Sequence, residues 1–288
     1  MLPMTETFVH KGQAVAWGCM GDGDPLVLVH GFPWSAQAWR RVAPALATRH
    51  TVYWFDMIGC GRSDKHDGQD VSPAVQSTLL TALLRHWGLE HPHVVGHDFG
   101  GLAALRGYVM DGARYGRLTL MDAVAVLPSG SPFFAHVRHH EAAFAGLPPY
   151  AHEALFRAYI GQAAARPLSD EAVAIYGQPW RGTLGQAAFY RQIAQASERA
   201  IAEAQLRYGP LGCPVDLLWG EDDTFIPVAQ GDHLADMLGV DRPARVPGAG
   251  HMILEDAPEA VVAALLECSG VGLSRQGFPW DRFYDSTD

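Results

Sequence analysis

Apolar residues along the chain fall into two kinds of run. The first kind is short and continuous: PLVLVHG at residues 25–31, TVYWFD at 51–56, HVV before Gly96, RLTLMD ending at Asp122 and PVDLLWG from residue 214. Runs of this length that end in a turn rich in glycine or acid predict strands buried on both faces of a parallel sheet. The second kind has helical spacing. Over residues 72–87, Val75, Leu79, Leu80, Leu83, Leu84 and Trp87 form one broad apolar face. The small-residue run LAALRGYVM after Gly101 predicts another helix, and AVVAALLEC after the start-favouring Pro258 predicts a last one over 257–268. Strands and helices in alternation argue for an α/β fold built on a mainly parallel sheet.

From about residue 125 to 210 the rhythm changes. Helical patterns at 153–165 and 186–207 are interrupted by LPSGSP, GLPPY and GQPWRG, and no buried strand is legible until PVDLLWGEDD at 214–223 resumes the earlier pattern. The expected organisation is a first core part at 1–126, an inserted helical cap at 127–210 and a second core part at 211–288. The aromatic residues of the closing stretch GLSRQGFPWDRFYDSTD are expected to fold back on the core.

Composition narrows the function classes. With 288 residues, 48% of them apolar and 18% charged, the chain can bury a large core and is not a disordered, collagen-like or coiled-coil sequence. Its formal net charge of −10 repels phosphate backbones, so nucleic acid is not an expected partner. The cysteines Cys19, Cys60, Cys213 and Cys268 stand singly, the N-terminal stretch MLPMTETFVHKG lacks the pattern of a signal peptide, and no run approaches eighteen apolar residues. These features predict a cytoplasmic protein without a membrane partner, a monomer or a homodimer.

The chemistry-bearing signal is Gly96-His97-Asp98-Phe99-Gly100, which lies between a strand and a helix. Glycines on both sides allow a strained strand-to-helix turn that lifts the Asp98 side chain above the sheet. A carboxylate there can attack carbon and form an alkyl-enzyme ester; the alternative is an Asp that caps the following helix. After the first strand comes His30-Gly31-Phe32-Pro33, whose Phe32 amide, with that of Phe99, is placed to face an oxyanion. His30 is expected to fix its loop, and Asp56 either to brace its own loop or to take a catalytic part. Trp219-Gly220-Glu221-Asp222-Asp223 ends a later strand and supplies an acid, Asp223 in preference to Asp222, that can orient an imidazole. His251, in Gly248-Ala249-Gly250-His251-Met252, supplies the imidazole. The chain order Asp98, Asp223, His251 is that of nucleophile, acid and histidine in an α/β-hydrolase fold. The histidines have no HExxH spacing and the glycines no GxGxxG, so neither a metal nor a nicotinamide cofactor is implied.

HGFP at 30–33, DMIGCGRSD at 56–64, VVGHDFGG at 94–101, WGEDDTFIP at 219–227 and GAGHMILEDAPE at 248–259 together resemble the signatures of α/β-hydrolases of the epoxide hydrolase and dehalogenase branch. The resemblance implies an α/β-hydrolase fold with a helical cap, Asp98 as nucleophile, His251 as water-activating base and Asp223 as supporting acid. Asp122, after the strand that follows the elbow helix, is the alternative acid. Haloalkane dehalogenases of this branch usually carry Trp after the nucleophile and Asn in the HG-x-P turn, and fluoroacetate dehalogenases carry Arg beside the nucleophile; here Phe99 and Phe32 have no side-chain donor. Epoxide hydrolases carry a cap tyrosine in a YR pair that Tyr190-Arg191 resembles, which implies Tyr190 as donor to the leaving oxygen. A second donor is sought in Tyr150 or Tyr159, and Trp34 and Trp180 are further candidates for an apolar pocket lining. The expected function is opening of a small apolar epoxide by water. A haloalkane or haloacid dehalogenase, with Trp180, His139 or His140 as halide donors, an esterase-like or lactonase-like hydrolase, and a non-catalytic receptor stay as alternatives.

Overall fold

The computed structural model of the chain describes residues 1–268, so the aromatic stretch expected to fold back lies outside the described residues. The strands are β1 (Glu6–His10), β2 (Gln13–Met20), β3 (Asp24–Val29), β4 (His50–Phe55), β5 (His93–His97), β6 (Arg117–Met121), β7 (Val215–Gly220) and β8 (Ala244–Val246). Among the described residues these form one sheet in the order β1-β2-β4-β3-β5-β6-β7-β8. From β4 to β8 every neighbouring pair is parallel. At its centre, Leu26 to Val29 and Val94 to Val95 are fully buried, as continuous apolar runs require when helices cover both faces. β1 and β2 add an antiparallel ribbon at one edge. No apolar run announces them, because both are half-exposed and rich in small or polar residues.

The core helices are α1 (Ala43–Leu46), α2 (Pro73–His86) and α3 (Phe99–Val109) before β6. Between β6 and β7 the chain makes α4 (Pro132–Ala145), α5 (Pro149–Ile160), α6 (Asp170–Gly177), α7 (Gly182–Gln195) and α8 (Glu198–Gln205), then adds α9 (Val228–Leu238), α10 (Ile253–Asp256) and α11 (Pro258–Cys268) later in the core. The helix expected over 186–207 is divided: Ala196 leaves helical geometry with ψ 87°. Ser197 then caps α8, its hydroxyl accepting the Arg199 N–H at 3.2 Å. The helix expected over 153–165 stops at Ile160, before Gly161.

The α4–α8 segment is tied to the core by directed bonds. Trp180 Nε1 donates to the Pro33 carbonyl at 2.8 Å, Arg191 to the His66 carbonyl at 2.7 Å and Gln192 to the Ile58 carbonyl at 2.9 Å. Among the described residues no helix is long and apolar enough to cross a membrane.

Candidate active site

Gly31, Asp98, Asp122, Asp223 and His251 all lie in segments that follow parallel strands, so one edge of the sheet gathers them. Asp98 directly follows β5 with φ 54° and ψ −124°, a conformation that costs a non-glycine residue about 1–3 kcal/mol. Its carboxylate makes no capping bond to α3, which removes the helix-cap alternative. The glycines around it are required by close approach. A Cβ on Gly31 would lie 2.1 Å from Asp98 Oδ1, and one on Gly100 would lie 2.2 Å from the Val29 carbonyl oxygen.

Asp98 Oδ1 accepts the Phe32 N–H at 2.8 Å, and Oδ2 lies 3.2 Å from His251 Nε2. That second contact is close but poorly aligned for a hydrogen bond, so Nε2 faces the carboxylate without donating to it in line. On the other side of the ring, Nδ1 donates to Asp223 Oδ2 at 2.9 Å. Asp223 is itself held by the Phe225 and Ile226 amides, which donate to its Oδ1 at 2.7 and 2.9 Å. Burial alone would depress the His251 imidazole, but the Asp223 and Asp98 carboxylates outweigh it and hold the imidazole well above its usual range.

Two further groups complete the buried cluster. Asp122, at φ 43°, accepts the Gly220 N–H on Oδ1 at 2.8 Å and lies against the Asp223 carboxyl. Burial, then the neighbouring Asp223 charge, pushes Asp122 well above the usual carboxylate range. His97 was not singled out from sequence. Its Nε2 meets the His251 carbonyl at 2.9 Å, and burial, then His251, lowers it to about 4. A neutral His97 therefore donates this bond and fixes the backbone of the imidazole loop. His30 meets the Gly31 carbonyl with Nδ1 and the Met57 N–H with Nε2, and Asp56 accepts the Ala36 and Arg62 amides, so both brace loops.

Asp98 opens onto a cavity of about 790 Å³ lined by Phe99, Phe133, Phe134, Tyr159 and Phe225, with Ser129, Ser131, Gln162, Thr224 and Gln230 among its polar groups. Among the described residues no Lys, Arg or Trp lines it. Of the tyrosines considered from sequence, Tyr159 lines this cavity. Its hydroxyl has no hydrogen-bond partner among the described residues, and burial, then the Asp98 charge, raises it well above the usual phenol range. Tyr190 does not line the cavity: α7 turns it toward α5, where its hydroxyl meets His152 Nδ1 at 2.9 Å within a packed aromatic cluster. Trp180 commits its indole N–H to Pro33, Trp34 packs on Tyr176, and Tyr150 is 79% exposed, so these three also lie outside the lining. His139 and His140 are exposed on α4. The ring of Phe225 links the two halves of the site, stacking on His251 at 5.1 Å and on Tyr159 at 5.3 Å.

An ionisable carboxylate with one oxygen on an amide and the other against a carboxylate-supported imidazole can attack carbon and then be attacked by activated water. Residues 26–264 match the alpha/beta hydrolase family. The crystal structure of an alpha/beta hydrolase fold protein from Burkholderia ambifaria is 53% identical, superposes with a TM-score of 0.90, and the match covers 93% of this chain and 98% of that one. A soluble epoxide hydrolase from Corynebacterium sp. (strain C12) is 40% identical over 95 residues, 33% of this chain and 32% of that protein. A fluoroacetate dehalogenase from Burkholderia sp. is 41% identical over 85 residues, 28% of each chain, so the matches span a third or less of these two curated relatives. The fold, the family match and the similarity over nearly the whole chain establish that this chain belongs to the alpha/beta hydrolase family.

Proposed function

We propose that the protein hydrolyses an apolar, aryl-bearing epoxide to a diol through a covalent ester on Asp98. The observation that carries this reading is the Asp98 carboxylate, bonded to the Phe32 amide and facing His251, at the wall of an aromatic cavity that also holds the uncommitted phenol of Tyr159. In this reading residues 127–210 act as a cap that supplies the phenol, and Tyr159 takes the role that sequence assigned to Tyr190.

In the first step Asp98 Oδ2 attacks an epoxide carbon, and the carbon–oxygen bond of the ring breaks. The departing alkoxide takes the Tyr159 proton, which is downhill because an alkoxide is a stronger base than a phenolate. Oδ1 becomes the ester carbonyl oxygen, already on the Phe32 amide. Ester formation removes the Asp98 charge, one of the two carboxylates that hold the His251 proton. That proton then restores Tyr159, and His251 is left as a neutral base. In the second step water gives a proton to His251 and its oxygen to the ester carbon, while the amides of Phe32 and Phe99 stabilise the oxyanion. Collapse expels the diol, which keeps water's other proton, and Asp98 and His251 return to their first states.

Carbon–halogen cleavage fits this cavity less well, because a leaving halide needs N–H donors. The side-chain amides of Gln162 and Gln230 each commit one N–H, to the Ala158 and Pro128 carbonyls, and among the described residues the lining has no Trp or Arg. The lack of a Lys or Arg among the described lining residues also disfavours haloacids, whose carboxylate would sit beside Asp98. A panel of aryl epoxides, haloalkanes, haloacids and activated esters tests the reading with wild type and Asp98→Asn. Diol formation from aryl epoxides that vanishes in the variant is expected. Preferred turnover of another class, or an unaffected variant, contradicts it.

A further inference from the structure

The Asp256 carboxylate is buried and has no part in the steps above. Its Oδ2 accepts the Gly250 N–H at 2.9 Å and the Ala165 N–H at 2.8 Å, and its Oδ1 accepts the Arg166 N–H at 3.2 Å. Gly250 immediately precedes His251, whereas Ala165 and Arg166 belong to the loop that leaves α5, the helix carrying Tyr159. The same two loops meet again where the Met252 N–H donates to the Ala163 carbonyl at 2.7 Å. They pass so closely that a Cβ on Gly250 would stand 2.9 Å from the Ala165 nitrogen. The Arg166 guanidinium also donates to the Asp256 carbonyl, and the adjacent Glu255 holds the Tyr176 hydroxyl and Arg40. A carboxylate suits this place because its two oxygens can accept all three of the backbone N–H groups that converge on it.

We propose that Asp256 is a positioning residue that clamps the loop of His251 to the loop behind Tyr159, so that the groups serving the two half-reactions keep one spacing across the cavity. The roles of His251 and Tyr159 rest on the function proposed above; the clamp itself does not. It predicts a kinetic signature that neither of those residues has: Asp256→Asn slows both half-reactions, because a displacement of about 1 Å can cost up to about a hundredfold in either.

The test joins amide exchange with single-turnover kinetics. In the wild-type protein the amides of Gly250, Ala165 and Arg166 should exchange with one common protection factor, since one opening frees all three. In Asp256→Asn, exchange should rise at least about tenfold at 163–166 and 249–252 together and stay unchanged in β5 and β6. With an aryl epoxide, alkylation and ester hydrolysis should both fall about tenfold to a hundredfold. The pH midpoint should stay in place, because the charges that set the His251 proton are those of Asp223 and Asp98, with His97 beside them. Independent opening of the three amides, faster exchange in one loop only, or loss of a single half-reaction overturns the proposal. If the wild type forms no ester with epoxides, the function fails, and the exchange data still decide the clamp.

Discussion

Asp98, Asp223 and His251 were legible because each is a polar residue in a glycine-rich turn directly after an apolar run, a context that leaves few structural uses for it. Which tyrosine lines the cavity was not, because helical spacing says which residues share a face but not where that face points. The side of α7 that carries Tyr190 turned out to face α5 and His152. Two comparisons at this scale separate roles. Tyr159→Phe should slow alkylation about 10²-fold, on the scale of a lost general acid, and leave hydrolysis of a preformed ester nearly unchanged. Tyr190→Phe, which removes only the bond to His152, should change alkylation less than about threefold in the same stopped-flow assay. Asp223 and Asp122 are the second pair. In Asp223→Asn the one carbonyl oxygen stays with the Phe225 and Ile226 amides and an NH2 group faces His251 Nδ1, which should slow ester hydrolysis by about 10³-fold or more. Asp122→Asn, which keeps an acceptor for the Gly220 amide at a carboxyl already pushed toward its neutral form, should cost far less. Equal damage from the two would make Asp122 the working acid.

Parallel strands, the elbow and the helices of the core could be read from sequence because burial on both faces leaves an unbroken apolar signature. The edge ribbon of β1 and β2 could not, since a half-exposed strand shows that signature only when its alternation is clean, and here Ala, Trp, Gly and Cys blur it. Nor could the break between α7 and α8, which turns on the Ser197 cap instead of on apolar spacing. The turn after β3 gives the sharpest test of an element's design. In Gly31→Ala the new Cβ would meet both Oδ1 and Cβ of Asp98, at 2.1 and 2.4 Å, so the side chain cannot rotate clear and the elbow itself must move. Single-turnover alkylation should fall by about 10²-fold or more while the far-ultraviolet circular dichroism stays native. A variant with normal alkylation would mean that the elbow tolerates displacement.

The whole molecule should lose stability in mild acid. Burial comes first in lowering His97 to about 4 and His93 to about 3, and it also depresses His30. In the unfolded chain His97 and His93 take up protons near pH 6.5, whereas in the fold these two do not until the pH is much lower. Their contribution is therefore complete above about pH 6.5 and is lost as the pH falls toward 4, each by about 1.4 kcal/mol per unit. Asp122, with its raised value, works in the opposite sense over part of that range. His251 is raised, so its contribution is already complete below pH 6.5 and cannot offset the decline. Urea midpoints at pH 7, 5.5 and 4.5 should fall in that order, and a flat series would contradict the buried neutral histidines. The mass of the intact protein carries the most direct test of the chemistry. His251→Gln removes the water-activating base but leaves Asp98 and Tyr159 in place, so with an aryl epoxide the protein should gain the full mass of one substrate, and peptide mapping should locate the addition on Asp98. An unmodified mass while the substrate is still consumed, or an adduct on any other residue, would contradict an Asp98 ester.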